Sequence, residues 1–212
     1  MDFKVSQSSF FLSFFHLSFS DFQLEMNKVE LKEKFFEAAW DGNVEEVKEI
    51  LRMNPNLDVN WQIGEHDRTV LHRACEKGHD AIVSILLAHP SIDVNRKDAY
   101  TRTPYLGTCY HGSTSCARLL LGDSRVLVNE PNSSKHLPLY WAASEGHLAI
   151  IKWWIASERE MNLGKPGDDK TDAIGVAKIE GRTEVVTLLE SYQKNPKRTR
   201  NEVRKALGIN GQ

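Results

Sequence analysis

Eight histidines and three cysteines are the residues of this chain best able to ligate a metal or to act as base and nucleophile. A zinc site needs Cys and His pairs at short fixed spacing, so that several ligands converge on one ion. The chain has no His-Glu-x-x-His, no paired Cys-x-x-Cys and no Gly-x-Ser-x-Gly. Nor does it have a glycine-rich phosphate loop ending in Gly-Lys-Ser/Thr. The nearest approach to a nucleophile and base is Cys109 with His111. Two positions apart on a helix, they face different directions, and a thiol is activated only by a base within hydrogen-bond reach. The reading is therefore no catalytic residue, no metal ligand set, no cofactor and no enzyme.

The elements that must position these side chains are set by a ladder of glycines. Gly42, Gly78, Gly112, Gly146 and Gly181 stand 36, 34, 34 and 35 residues apart. Thr69-Val-Leu-His-Arg-Ala-Cys-Glu-Lys-Gly-His79, Thr103-Pro-Tyr-Leu-Gly-Thr-Cys-Tyr-His-Gly112 and Leu137-Pro-Leu-Tyr-Trp-Ala-Ala-Ser-Glu-Gly-His147 align on them. Thr69 and Thr103 sit where a helix N-cap belongs, because a hydroxyl accepts a free N–H of the first turn. Pro104 and Pro138 follow at the first helical position. Each glycine then supplies the left-handed backbone that closes the helix. A second helix follows, with apolar residues at helical spacing: Ile82, Val83, Ile85 and Leu86, then Ile150, Ile151, Trp154 and Ile155. Asp58-Val-Asn60, Asp93-Val-Asn95, Val128-Asn129 and Met161-Asn162 end the units.

Helix, tight turn, helix and loop at this period, with a Thr-Pro-Leu-His-like start and a Gly-His turn, resembles the ankyrin repeat. The resemblance covers roughly residues 30–192. It implies an all-α fold: an ankyrin-repeat solenoid of stacked helix-turn-helix units with hairpin-like loops. The expected domain is 26–193, with units at about 30–60, 61–95, 96–129, 130–163 and 164–193. The outer two lack the Thr-Pro pair and read as caps, Lys32, Glu33, Lys34 and Glu37 giving the first a charged outer face. Gly107 departs from the pattern, since it puts a glycine inside a helix.

The resemblance also implies where a partner binds. Loop tips and first helices line a concave face in such stacks. The tips carry Ile63, Glu65, His66 and Arg68, then Lys97, Ala99, Tyr100 and Arg102, then Asn132, Ser133, Lys135 and His136. Variable positions on the first helices are Arg73, Glu76 and Lys77, then Tyr110 and His111, then Trp141, Ser144 and Glu145. Aromatic and arginine residues dominate binding hot spots, which favours Tyr100, Arg102, Tyr110, Arg73 and Trp141. Trp141 has two readings, as a hot spot and as a ring packed between units. Trp153 and Trp154 read as packing residues. His72, His79 and His147 fall at family positions where the imidazole bonds neighbouring backbone. Asn60, Asn95 and Asn129 are hydroxylation candidates by the same resemblance.

Composition is that of an ordinary globular chain: 212 residues, 41% hydrophobic, 26% charged, formal net charge −2. No bulk attraction to nucleic acid follows. Cys75, Cys109 and Cys116 read as buried thiols of a reducing compartment. The expected partner is a protein or peptide, with no nucleic acid and no membrane, and the expected state is a monomer in the cytoplasm. Residues 1–25 carry no repeat landmark. They read as a disordered extension or as sequence preceding a true start at Met26; the Phe10–Phe22 run leaves a secretion or targeting signal, and an exported effector, as the alternative. Residues 194–212 are basic. They read as a capping helix ending near Leu207, with Thr199 or Asn201 at its start, or as a nuclear-import motif.

Overall fold

The structure, a computed structural model, describes the backbone of residues 19–209 and side chains from Met26 onward. The Phe-rich run assigned to a leader or extension lies mostly outside the described residues. Its last part does not: helix α1, Phe19–Asp41, begins within it. Helix α2 (Val44–Met53) pairs with α1, and four more pairs follow: α3 (Val70–Lys77) with α4 (Asp80–Leu87), α5 (Pro104–His111) with α6 (Thr114–Gly122), α7 (Pro138–Ser144) with α8 (Leu148–Ala156), and α9 (Ala173–Ile179) with α10 (Thr183–Lys194). Helix α11, Pro196–Ala206, ends the described fold. The odd-numbered helices α1 to α9 pack in sequence as an inner layer, and α2 to α10 as an outer one.

Local chemistry accounts for the boundaries. Thr69 and Thr103 Oγ1 accept from the backbone N–H of His72 and Leu106. In α9, Asp172 does the same work, accepting from Ile174 and Gly175. Pro104 and Pro138 open α5 and α7. The inner helices carry small residues at one register, Ala74 and Cys75, Thr108 and Cys109, Ala142 and Ala143, all buried. Small side chains let successive helices approach closely, and the core continues through Ile82, Leu86, Leu120, Ile150, Ile151 and Trp154. Trp154 is fully buried, as expected, and its ring meets Tyr105 edge to face at 5.2 Å. Trp153 is half-buried beneath Arg118. All three thiols are free and buried, and burial pushes Cys109 and Cys116 up to about 12.

The glycine ladder has a second cause beyond its left-handed backbone. His79 Nε2 donates to Trp40 O at 3.0 Å, and His147 Nε2 donates to Tyr110 O at 3.1 Å. Arg182 Nε donates to Ser144 O at 2.8 Å, and Ser113 Oγ makes a longer contact with Glu76 O at 3.5 Å. The residue after each glycine thus ties its unit to the one before. The tie crosses the earlier glycine. A Cβ on Gly112 meets the His147 ring at 2.5 Å, and one on Gly42 meets His79 at 2.7 Å.

Two further ladders run along the stack. The amides of Asn60, Asn95 and Asn129 bond the backbone of the next unit on both sides: Asn60 Nδ2 to Ser91 O, Asn95 Nδ2 to Arg125 O and Asn129 Nδ2 to Glu160 O, while Asp93, Leu127 and Asn162 N–H donate back. On the outer layer, arginines cap the preceding outer helix. Arg125 donates to Leu87 O at the end of α4, and Arg159 to Leu121 O in the last turn of α6 and to the Asp123 and Val126 carbonyls beyond it. A cation at a helix C-terminus meets the negative end of the dipole.

Helix α11 corrects the expected start. Its N-cap is Asn195, whose Oδ1 accepts from Arg198 N–H at 3.1 Å, ahead of Pro196. Thr199 is instead buried, with Val203, against α8 and α10. Asn195 wins because its cap precedes a proline already set for a first turn. Arg200 and Arg204 then donate to Ile155 and Ala156 carbonyls, so α11 caps α8 as Arg125 and Arg159 cap the helices before it.

A candidate binding face on the inner helices and loop tips

Three loop tips precede α3, α5 and α7, and each needs one residue with positive φ: Asp67, Thr101 and Lys135. In the first, Ile63 and Arg68 form an antiparallel bridge, with Gly64 also at positive φ. The tips are tied to each other by Ala99 N–H to His66 O at 2.9 Å and Ser133 N–H to Tyr100 O at 3.0 Å. A side chain mounted on one tip therefore has a fixed position relative to the next.

Asp98 organises the middle tip. It is buried, its Oδ1 accepts from Tyr100 and Arg102 N–H, and its Oδ2 lies 2.7 Å from the Arg102 guanidinium. Arg68 Nε approaches the same oxygen at 3.8 Å and reaches Glu76 with Nη1 at 3.1 Å. Arg73 pairs with Glu76 at 3.1 Å. His72 lies below, buried. It donates from Nε2 to Arg102 O at 3.0 Å and accepts at Nδ1 from Thr69 N–H at 3.2 Å. That pair of bonds requires the neutral ring, and burial lowers its pKa.

Aromatic rings continue the face. Tyr110 meets Trp141 edge to face at 4.9 Å and His111 at 4.8 Å. Trp141 also contacts His136 at 5.1 Å and Tyr140 at 5.5 Å. Tyr100 packs on His66 at 5.4 Å, with Arg102 above its ring at 4.8 Å. Trp40 is covered by Arg73 at 4.4 Å and Lys77 at 3.8 Å.

The structure divides the expected residues into two groups. Tyr100 and Tyr110 are exposed, at 47% and 40%, as are Lys77, His111, Lys135 and Glu145. Arg73, Glu76, Arg102, His66, Trp141 and Ser144 are half-buried, the arginines because they serve the Asp98 and Glu76 network. Trp141 is half-buried and packs against Tyr110 of the neighbouring unit. Sequence reasoning did not include Trp40, 39% exposed, or Asp98 and Tyr140. Trp40 stands two residues before its glycine, as Tyr110 does, and that register is the signal that finds it. Asp98 carries the signal of an acid four residues before Arg102.

Among the described residues, no group of three or more His, Cys, Asp or Glu side chains could hold a metal ion, and no helix is long and apolar enough to cross a membrane. What the surface offers is a row of rings and charges on a stacked helical scaffold, the architecture of a repeat protein. Residues 35–132 match the family model for ankyrin repeats in three copies. That stretch of the chain is built of ankyrin repeats, and the all-α fold is consistent with an ankyrin-repeat solenoid. It is similar to the probable E3 ubiquitin-protein ligase XBOS32 of Oryza sativa subsp. japonica, 26% identical over 58% of this chain and 25% of the relative. It is similar to the E3 ubiquitin-protein ligase XBAT33 of Arabidopsis thaliana, 30% identical over 58% of this chain and 24% of the relative. The SMC5-SMC6 complex localization factor protein 1 of Bos taurus is 34% identical over 60% of this chain and 12% of the relative. The chain thus spans a quarter or less of these curated relatives. Ankyrin repeats in general mediate protein–protein interaction.

Proposed function

We propose that the chain is a non-catalytic recruitment module that holds a protein or peptide on its concave face. The observation that carries this is the coincidence of exposed rings, Trp40, Tyr100 and Tyr110, with half-buried arginines on the inner helices and tips. Rings and guanidiniums held rigid lose little entropy on binding. Photo-crosslinking residues placed at Tyr110 and, separately, at Glu190 on the outer layer test it in the native cell. Polypeptide adducts from position 110 and none from 190 are expected. Adducts from 190 alone refute the assignment.

The ligase names of two relatives motivate a second reading, recruitment of a protein to be ubiquitylated. A ubiquitin-transfer assay with the purified chain checks whether it acts alone or only recruits; transfer without an added ligase refutes the non-catalytic part. Cytoplasmic residence and a monomeric state belong to the same proposal, tested by fractionation and by sedimentation. Asn60, Asn95 and Asn129 stand as hydroxylation candidates. Their amides are engaged between units, so modification needs local opening, and intact mass reads the added oxygen.

A further inference from the structure

Gly107 shares its register on the inner helices with Arg73 one unit before and Trp141 one unit after. It lies inside α5 with no positive φ, so the backbone does not require a glycine. A Cβ there meets only Glu76 Cγ, at 3.8 Å. Glycine inside a helix costs about 1 kcal/mol relative to alanine. The site therefore carries a local cost with no compensating contact, and such local inconsistencies are expected at functional sites. What it leaves is a notch. Arg73 and Glu76, paired at 3.1 Å, form one wall. Tyr110 and Trp141, edge to face at 4.9 Å, form the other.

The charge around the notch is unbalanced. Three guanidiniums, Arg68, Arg73 and Arg102, share two carboxylates, Glu76 and Asp98. The carboxylates lie deeper: the Asp98 side chain is 1% exposed against 24% for Arg102. Lys77, exposed and one turn beyond Arg73, adds a further cation. Lys97 is neutralised by Glu130 at 2.9 Å. His111 lies beside the notch; burial is the first cause of its lowered pKa, Glu76 opposes it, and Arg68, Arg102 and Lys77 assist. The ring faces nearby are already taken, Trp40 by Arg73 and Lys77, Tyr100 by Arg102. A basic segment would find like charge and no open ring face on these two.

We propose that the notch over Gly107 and its cationic rim dock an acidic peptide, one apolar side chain seated over Gly107 and a neighbouring Asp or Glu carboxylate facing Arg73, Arg102 and Lys77. This rests on the concave-face reading. A carboxylate delivered there offsets the excess cation in a half-buried setting, where screening by salt is weak.

Selection of a random peptide display library against the folded full chain tests it. The expected result is enrichment of Asp or Glu beside an aliphatic or aromatic residue. The selected peptide, synthesised, should lose about tenfold or more in affinity on Lys77→Glu, the scale of a close interfacial charge pair, and similarly on Gly107→Leu. The Cβ of Gly107→Leu meets only Glu76 Cγ, and a thermal transition no lower than that of the parent separates lost binding from lost folding. Peptides without acidic enrichment, or acidic peptides that bind both variants as tightly as the parent, overturn the proposal. Non-acidic peptides that lose affinity on Tyr110→Ala overturn it while leaving the concave-face reading intact. Recovery of no binder, or of binders that crosslink to the outer layer, overturns both.

Discussion

His72 shows how a residue with catalytic potential is committed to structure instead. Its ring donates to Arg102 O in the next tip and accepts from Thr69 N–H at its own helix start, joining two units through one side chain. Protonation of Nδ1 ends the second bond. Burial is the first cause of its lowered pKa; Arg102 O, Asp98 and Glu76 oppose it, and Arg68 assists. A histidine depressed in the folded state gives stability that is present above the unfolded value, about 6.5, and lost as pH falls through the folded value. His111 and His136 are lowered in the same direction, again chiefly by burial. The urea midpoint should therefore fall as pH drops below about 6.5, and His72→Gln should shrink that fall. An unchanged pH slope in the variant removes His72 as the cause. The glycines give a second residue-level test. Gly112 and Gly181 both have positive φ, 78° and 68°, but only Gly112 has a histidine ring within reach of a Cβ. Gly181→Ala should cost the backbone penalty, about 1–2 kcal/mol; Gly112→Ala should cost more, because the His147 tie must also shift. Equal losses in thermal melts contradict the steric argument.

At the scale of elements, helix α5 is the weakest statement of the repeat and the most informative. Gly107→Ala should stabilise the chain by roughly 1 kcal/mol, since helical backbone is already in place and the new methyl meets only Glu76 Cγ. A thermal midpoint that falls contradicts this. The start and end of α5 were readable in the sequence, because Thr103, Pro104 and Gly112 act locally. The same holds for the start of α3 at Thr69. Long-range ties were less readable. His79 and His147 announced theirs through a repeated residue type, whereas Ser113 and Arg182 do the same work without sharing a type. The arginine ladder was hidden for the same reason: Arg125 and Arg159 are one period apart, but nothing local to either says that it reaches a carbonyl of the preceding unit. The start of α11 was misread because Thr199 is also an acceptable cap, and only packing against α8 and α10 decides that it is buried. The candidate face divides likewise. Tyr100 and Tyr110 follow from register alone. The covering of Arg73 and Arg102 does not, because it depends on Asp98 and Glu76 meeting them in space.

For the whole molecule, stability should be distributed as in other stacks, each unit leaning on its neighbours and the ends depending on caps. Helix α11 is placed to act as such a cap. It covers α10 and α8 with Thr199 and Val203, and its Arg200 and Arg204 occupy the α8 C-terminus, where a following unit would otherwise place an arginine. Arg204 also meets Glu158 at 3.3 Å, a half-exposed pair worth little by itself. Removal of residues 196–212 therefore takes away apolar cover and helix-end cations together. The loss should be felt locally first. Amide hydrogen exchange in α10 and α8 should rise well before that in α3 and α5, and the denaturant transition should broaden as the last unit opens apart from the rest. Arg200→Ala with Arg204→Ala should reproduce part of the effect in α8 while leaving α11 in place. The Tyr100–Tyr110 face lies two units away, so peptide binding there should persist in the truncated chain. If exchange rises equally in every helix, the chain folds as one cooperative block, and α11 is no more an end cap than any other helix.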